Sequence, residues 1–122
     1  MSDSPQQLVQ EFREFYALFN ARDIEACLVR MAPDVDWHNA MDDAREVGRD
    51  AVRRYWTRQF GLISSTVTPM DIRADADTVL VTVDQQVRLP DGTLHSHTTV
   101  LHRFVLRDGL VTRFDALPMP AS

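Results

Sequence analysis

Two aspartates offer the most direct chemistry in this chain. Asp84 lies in TVLVTVDQQVRL and Asp115 in LVTRFDAL, two separate stretches that alternate like strands. A carboxylate walled by apolar groups has its charged form disfavoured, whereas one beside a guanidinium keeps it, and Arg113 stands two positions from Asp115. Facing a common cavity, such a pair would supply one acid and one base; facing water, both are ordinary surface aspartates. His95 and His97 put two imidazoles on one side of a strand, a spacing that metal sites use, but His102, the nearest third ligand, has the opposite parity. They read as solvated histidines beside a turn, and no metal is expected. His102 is the one ionisable member of a face otherwise made by Thr98, Val100, Phe104 and Leu106, and it reads as a hydrogen-bonded core residue. The sequence has no glycine-rich phosphate loop, paired-cysteine motif or activated-serine elbow, so no cofactor is expected.

The element that must position these groups is a long hairpin over residues 78–107, whose arms flank Pro90-Asp91-Gly92. That triplet supplies the preset φ and the permissive glycine of a tight reversal. Arms of about 40 Å at about 3.3 Å per residue must twist and curl, which predicts a concave sheet. Alternation sorts the first arm into two faces: Val79, Val81, Val83, Val87 and Leu89, interrupted only by Gln85, against Leu80, Thr82, Asp84, Gln86 and Arg88. Two readings stand. Either the valines are core and the polar face is solvated, or the polar face lines a cavity and the valines bury themselves against another subunit.

Upstream, Ser4-Pro5-Gln6-Gln7 starts a helix whose Leu8, Phe12, Phe15, Tyr16 and Phe19 share one face. Asp23 caps a second, short helix carrying Ile24, Cys27, Leu28 and Met31, which Pro33 ends. A short strand from Val35 to Asn39, a polar loop over residues 40–48 and a helix over residues 49–60 closed by Gly61 follow. Ser64 to Ala74 reads as a strand that Pro69 confines to an edge or a bulge. Asp108-Gly109 turns the chain into a last strand, 110–117, with Pro118 and Pro120 behind it. Helices first and strands after predict an α+β domain, the helices on one face of a mostly antiparallel sheet, spanning the 122 residues as one unit. A net charge of −5 argues against nucleic acid as a partner. No apolar run reaches the ~18 residues of a membrane span, the start MSDSPQQ resembles no export signal, and the expected location is the cytoplasm. Cys27 stands alone and reads as a small core residue.

FYALFNARDIEACLVRMAPDVDWHN, the GRDAVRRYW helix and the closing HRFVLRDGLVTRFDA together resemble the SnoaL-like family of the nuclear transport factor 2-like superfamily, over about residues 12–117. The resemblance implies a cone in which a curved sheet wraps around helices and leaves a pocket for a small apolar molecule. It also implies a homodimer through the outer sheet face, which would make Val79, Val81 and Val83 an interface and Asp84 a pocket residue. Relative to the ketosteroid isomerases of that superfamily the chain departs at three positions: Asn39 stands for the base, Phe15 with Tyr16 beside it for the helical tyrosine, and His102 for the protonated acid. Trp37-His38-Asn39 followed by Gly48-Arg49 is similar to limonene epoxide hydrolases. That likeness implies Asp84 as the base activating a water held with Asn39, and Asp115 as the acid. Thr82 replaces the bridging arginine, whose part falls to Arg113. Trp37, Trp56, Phe15, Tyr16, Phe60, Thr82 and His102 would line the pocket. The implied function is cofactor-free hydrolase-like or isomerase-like chemistry on a small apolar substrate; the alternative is a ligand-binding or dimerisation module without chemistry.

Overall fold

The computed structural model describes residues 4–119; residues 1–3 and 120–122, Pro120 among them, lie outside these. The long hairpin is made of β4 (Thr78–Arg88) and β5 (Leu94–Arg107), in register from Thr78 opposite Val105 to Arg88 opposite Leu94. Four further strands complete one six-stranded sheet: β1 (Met31–Asn39), β2 (Ala44–Val47), β3 (Ser64–Asp75) and β6 (Leu110–Pro118), in the order β2-β1-β6-β5-β4-β3. Every pairing is antiparallel except β1 with β6, which is parallel.

Three helices cover one face. In α1 (Pro5–Asn20) the Ser4 hydroxyl accepts from the Gln7 N–H, and Pro5 occupies the first turn, where its missing donor costs nothing. Leu8, Phe12, Phe15 and Tyr16, spaced by three and four, are its buried side. Asp23 caps α2 (Ile24–Leu28) by accepting from the Ala26 N–H. Gly48, at φ +92°, turns the chain into α3 (Arg49–Leu62), which buries Val52, Tyr55, Trp56 and Gln59.

The core lies between these helices and the valine face of β4. Val79, Val81 and Val83 are fully buried within the one chain, each worth roughly 1.5–3 kcal/mol of transfer free energy. This corrects the interface implied by the resemblance: the valines face the helices, and Leu80, Thr82 and Asp84 alternate onto the outer face. A contact between two copies across that outer face would fall on Leu80 and Thr82 instead.

Other boundaries also differ. α2 ends at Leu28, before Pro33, because β1 begins at Met31 and carries Pro33 next to the irregularity between Met31 and Asp36. The polar loop contains β2, an edge strand with mostly exposed side chains and hence no alternation to read. Gly61 lies inside α3, which runs on to Leu62. Pro69 sits on edge strand β3 at a register shift, where a missing donor is tolerated. That edge is also covered: the Asn20 side chain accepts from the Val67 N–H at 2.9 Å and donates to the Val67 carbonyl at 2.8 Å, as a neighbouring strand would. Cys27 is buried and burial pushes its thiol up to about 12, which makes it an inert core residue.

Candidate functional site

Between the helices and the concave sheet lies a cavity of about 80 Å³ that opens to solvent. α1 contributes Phe15, Tyr16 and Phe19; β1 contributes Trp37 and His38; α3 contributes Tyr55, Trp56 and Gln59. The sheet contributes Ser65, Val67, Gln85, His102, Phe104, Phe114 and Ala116. The walls are mainly rings in edge-to-face and stacked contact: Trp37 stacks on Phe114 with centroids 4.0 Å apart and meets Trp56 edge-on at 5.2 Å.

The polar centre of this cavity is a pair. Tyr16 Oη and His102 Nδ1 are 2.7 Å apart, both buried. With the phenol as the donor of this bond, Nδ1 is the acceptor and the imidazole proton is on Nε2. His102 Nε2 has no protein partner and is not sealed, so its N–H is the donor left for the cavity. Burial lowers the His102 pKa to about 3 and raises that of Tyr16, which makes both groups neutral at physiological pH. The remaining polar atoms are neutral as well. Gln85 Nε2 donates weakly to the Ser65 hydroxyl at 3.4 Å, and Gln59 Nε2 to the Tyr55 hydroxyl at 3.3 Å. Tyr55 is pushed up to about 12, by burial against the opposing backbone N–H groups of Met41 and Ala40. At the rim, His38 Nδ1 accepts from the Ala116 N–H at 3.2 Å, so its free lone pair is already used.

Among the described residues, no carboxylate, lysine or arginine lines the cavity. Asp84 alternates onto the outer face of β4, where it meets His97 Nε2 at 2.6 Å. Asp115 is also on the outer face, held by Arg113 at 2.9 Å, Arg45 at 2.8 Å and Arg103 at 3.3 Å. Burial opposes its ionisation, yet the bonds from Arg113, Arg45 and Arg103 prevail and hold its carboxyl at about 2. Arg45 and Arg113 extend this cluster to Asp36. The acid–base pair of Asp84 and Asp115 with Arg113 is therefore corrected: none of the three enters the cavity, because the strand parity that buries Val81 and Val83 turns them outward.

Asn39 is buried, but its side chain is occupied in holding the turn after β1. Its amide donates to Asp42 and Glu46, and its oxygen accepts from the Asp42 N–H. It is not among the residues that line the cavity. Thr82 is on the outer face beside Asp84, and Phe60 packs against Phe19 outside the cavity wall. Trp37, Trp56, Phe15, Tyr16 and His102 do line it. What sequence reasoning missed is that Tyr16 and His102 form one unit, and that Gln85 enters the cavity. Both carried a signal: His102 and Gln85 are the polar interruptions of otherwise apolar strand faces.

A sheet curved around helices, with a ring-walled cavity between the two layers, defines a small-molecule pocket fold. The SnoaL-like domain model matches residues 12–114, and the chain belongs to that family. No curated protein matches the sequence. Among solved structures, TerC co-crystallized with polyporic acid is 24% identical, with a TM-score of 0.80 over 91% of this chain and 90% of that one. An LEH-like epoxide hydrolase of M. tuberculosis is 18% identical, with a TM-score of 0.77 over 92% of this chain and 82% of that one. A computationally designed 17-OHP binder is 18% identical, with a TM-score of 0.75 over 93% of this chain and 92% of that one. At these identities the likeness is one of fold.

Proposed function

We propose that the protein binds a small, largely aromatic molecule, with an uncharged oxygen of that molecule accepting from His102 Nε2–H inside the cavity. One observation carries this reading: among the described residues the cavity wall has no carboxylate or arginine, and at its centre His102 is paired through Nδ1 with Tyr16, which leaves Nε2 for a ligand. A neutral imidazole can orient or polarise a carbonyl or phenol oxygen, but with a pKa near 3 it is a poor base. The fold suits binding, as the designed steroid binder among its structural neighbours illustrates. Hydrolase or isomerase chemistry is the alternative reading, and among the described residues no carboxylate lines the cavity to act as its base.

The chain has two tryptophans, Trp37 and Trp56, and both line the cavity, so their indole N–H resonances report on whatever enters it. Phenol and cyclohexanone are expected to shift both indole peaks in a ¹⁵N-correlated NMR titration. His102→Phe should weaken these two by about tenfold, the effect of one buried hydrogen bond, while leaving toluene unaffected. Indole peaks that stay still with all three compounds would sink the reading.

A further inference from the structure

Arg22 follows α1 at φ +64°, the left-handed region that L side chains rarely occupy. Its guanidinium lies over the Phe60 ring, 4.5 Å from the centroid, and 5.8 Å from that of Phe19. Phe19 is part of the cavity wall, and Ser64, whose hydroxyl accepts from Arg22 Nη2 at 3.1 Å, adjoins the wall residue Ser65. The turn after α1 therefore brings a cation to the edge of a cavity that has no charge of its own.

This cation lacks a counter-charge. Arg30, Arg45, Arg53, Arg58, Arg73, Arg103 and Arg113 each have a carboxylate within 4.0 Å; Arg22 has none among the described residues, like Arg13, Arg54, Arg88 and Arg107, but unlike these it lies beside a cavity-wall ring. Arg49, also without one, gives its fork to the Met31 carbonyl. Arg22 has five N–H donors and uses one, on Ser64. Its Nη1 is sealed from solvent with no acceptor, alone in this respect among the side-chain nitrogens and oxygens of the described residues. Partial removal of a guanidinium from water without a carboxylate is unfavourable, and the faces of two phenylalanines compensate only partly. Nη1 itself is closed to a ligand, but an anion that reaches the remaining donors would supply the missing counter-charge, and a planar carboxylate suits a guanidinium edge.

The size of the cavity points the same way. About 80 Å³ is roughly half of the ~150 Å³ that encloses benzene, so a ring entering by the open mouth would sit only part way in and carry its outer substituent past the rim. Tyr16 stands about one helical turn before Asn20, where α1 ends, and Arg22 lies in the turn just beyond. An oxygen on the Tyr16–His102 pair and a second group near Arg22 would be the two ends of one small molecule.

We propose that Arg22 binds an acidic oxygen of the ligand at the mouth of the cavity, and that the ligand class is a small aromatic carboxylate with a neutral oxygen at its far end. This rests on the cavity being the binding site. Arg22 is then a specificity-determining residue, and the net charge of −5 of the chain explains why a dedicated cation is needed to admit an anion.

The test is a matched pair of probes, 4-hydroxybenzoate and 4-hydroxybenzamide, titrated at pH 7 against the two indole peaks. The acid is expected to bind about tenfold tighter than the amide, as one charge-assisted pair allows. Arg22→Gln should remove that preference by weakening the acid alone, and Arg22→Lys should keep part of it. In wild type, which avoids any folding defect of the variants, the preference should vanish as the pH falls below the pKa of the probe. Equal affinities for acid and amide in wild type, or a preference that survives Arg22→Gln, would overturn the role of Arg22 while leaving the cavity reading intact. Arg22 would then be a clamp between α1 and α3. Failure of both probes to move the indoles would refute the cavity reading, and this proposal with it.

Discussion

On the inner face of β5, His102 is 9% exposed and carries no charge at neutral pH; on the outer face of β6, Asp115 is 7% exposed and fully charged. The two residues face opposite sides of one sheet, and their backbones are a register step apart, since His102 pairs with Ala116 and Arg103 with Asp115. What separates them is what surrounds each. Rings and one phenol surround the imidazole, so burial decides and the neutral form wins. Three guanidiniums surround the carboxylate, so its partners decide and the charged form wins. Similar exposure, with His102 deep among rings and Asp115 nearer the surface, therefore gives a neutral site on one face and an ionic patch on the other. The ring-walled hollow lies on the neutral side.

The severest way to break this division is to put a charge on the inner face. Val81→Glu places a carboxylate where no atom of the native side chain reaches solvent, and a loss of about 4 kcal/mol or more is expected, visible as failure to melt cooperatively. An interface role for Val81 would instead give a folded monomer.

Acid titration sharpens the comparison further. The folded-state pKa of His102 is depressed, so the unfolded chain binds its proton first; the stability contributed by a neutral His102 is complete above about 6.5 and is lost as pH falls towards about 3. At about 1.4 kcal/mol per pH unit, the urea midpoint at pH 5.0 should correspond to a loss of about 2 kcal/mol relative to pH 7.5, and His102→Phe should flatten that slope. Asp115 is also depressed, but its contribution is complete above 3.8 and is lost only between there and about 2. The window from pH 6.5 to 4 thus reads the inner face without the outer one.

The smallest effect expected is that of Asp84→Asn. Its partner His97 is half in water, and an exposed pair contributes under about 1 kcal/mol. Neither the melt nor ligand binding by the indole assay should change appreciably. A large loss of binding would return Asp84 to the site.

Most of the frame was legible in the residue pattern. Ser4 and Asp23 mark helix starts that the backbone uses, Pro69 marks the edge-strand irregularity, and the hairpin arms pair where alternation and Pro90-Asp91-Gly92 place them. β2 was not legible, because four mostly exposed residues at an edge carry no period. The candidate site divided along a finer line. Alternation tells that Val81 and Asp84 lie on opposite faces but not which face is inside; family likeness chose one answer and packing against α1 and α3 the other. The more local signals, Gln85 within the valine stripe and His102 within a mostly apolar one, pointed to the cavity. No spacing rule links His102 to Tyr16, which lies 86 residues away and meets it only when α1 crosses the concave sheet.

The parallel pairing of β1 with β6 has a kinetic side. Trp37 finds its strand partner in Phe114, and Asp36 finds Arg113, both more than seventy residues along the chain. Until β6 is in place, β1 has only the short β2 beside it, and the aromatic wall that Trp37, Phe104 and Phe114 share stays open. Closing so long a loop before any contact rewards it is slow. The β3–β4–β5 meander can assemble locally, and the docking of β6 against β1 is the step that makes the hollow.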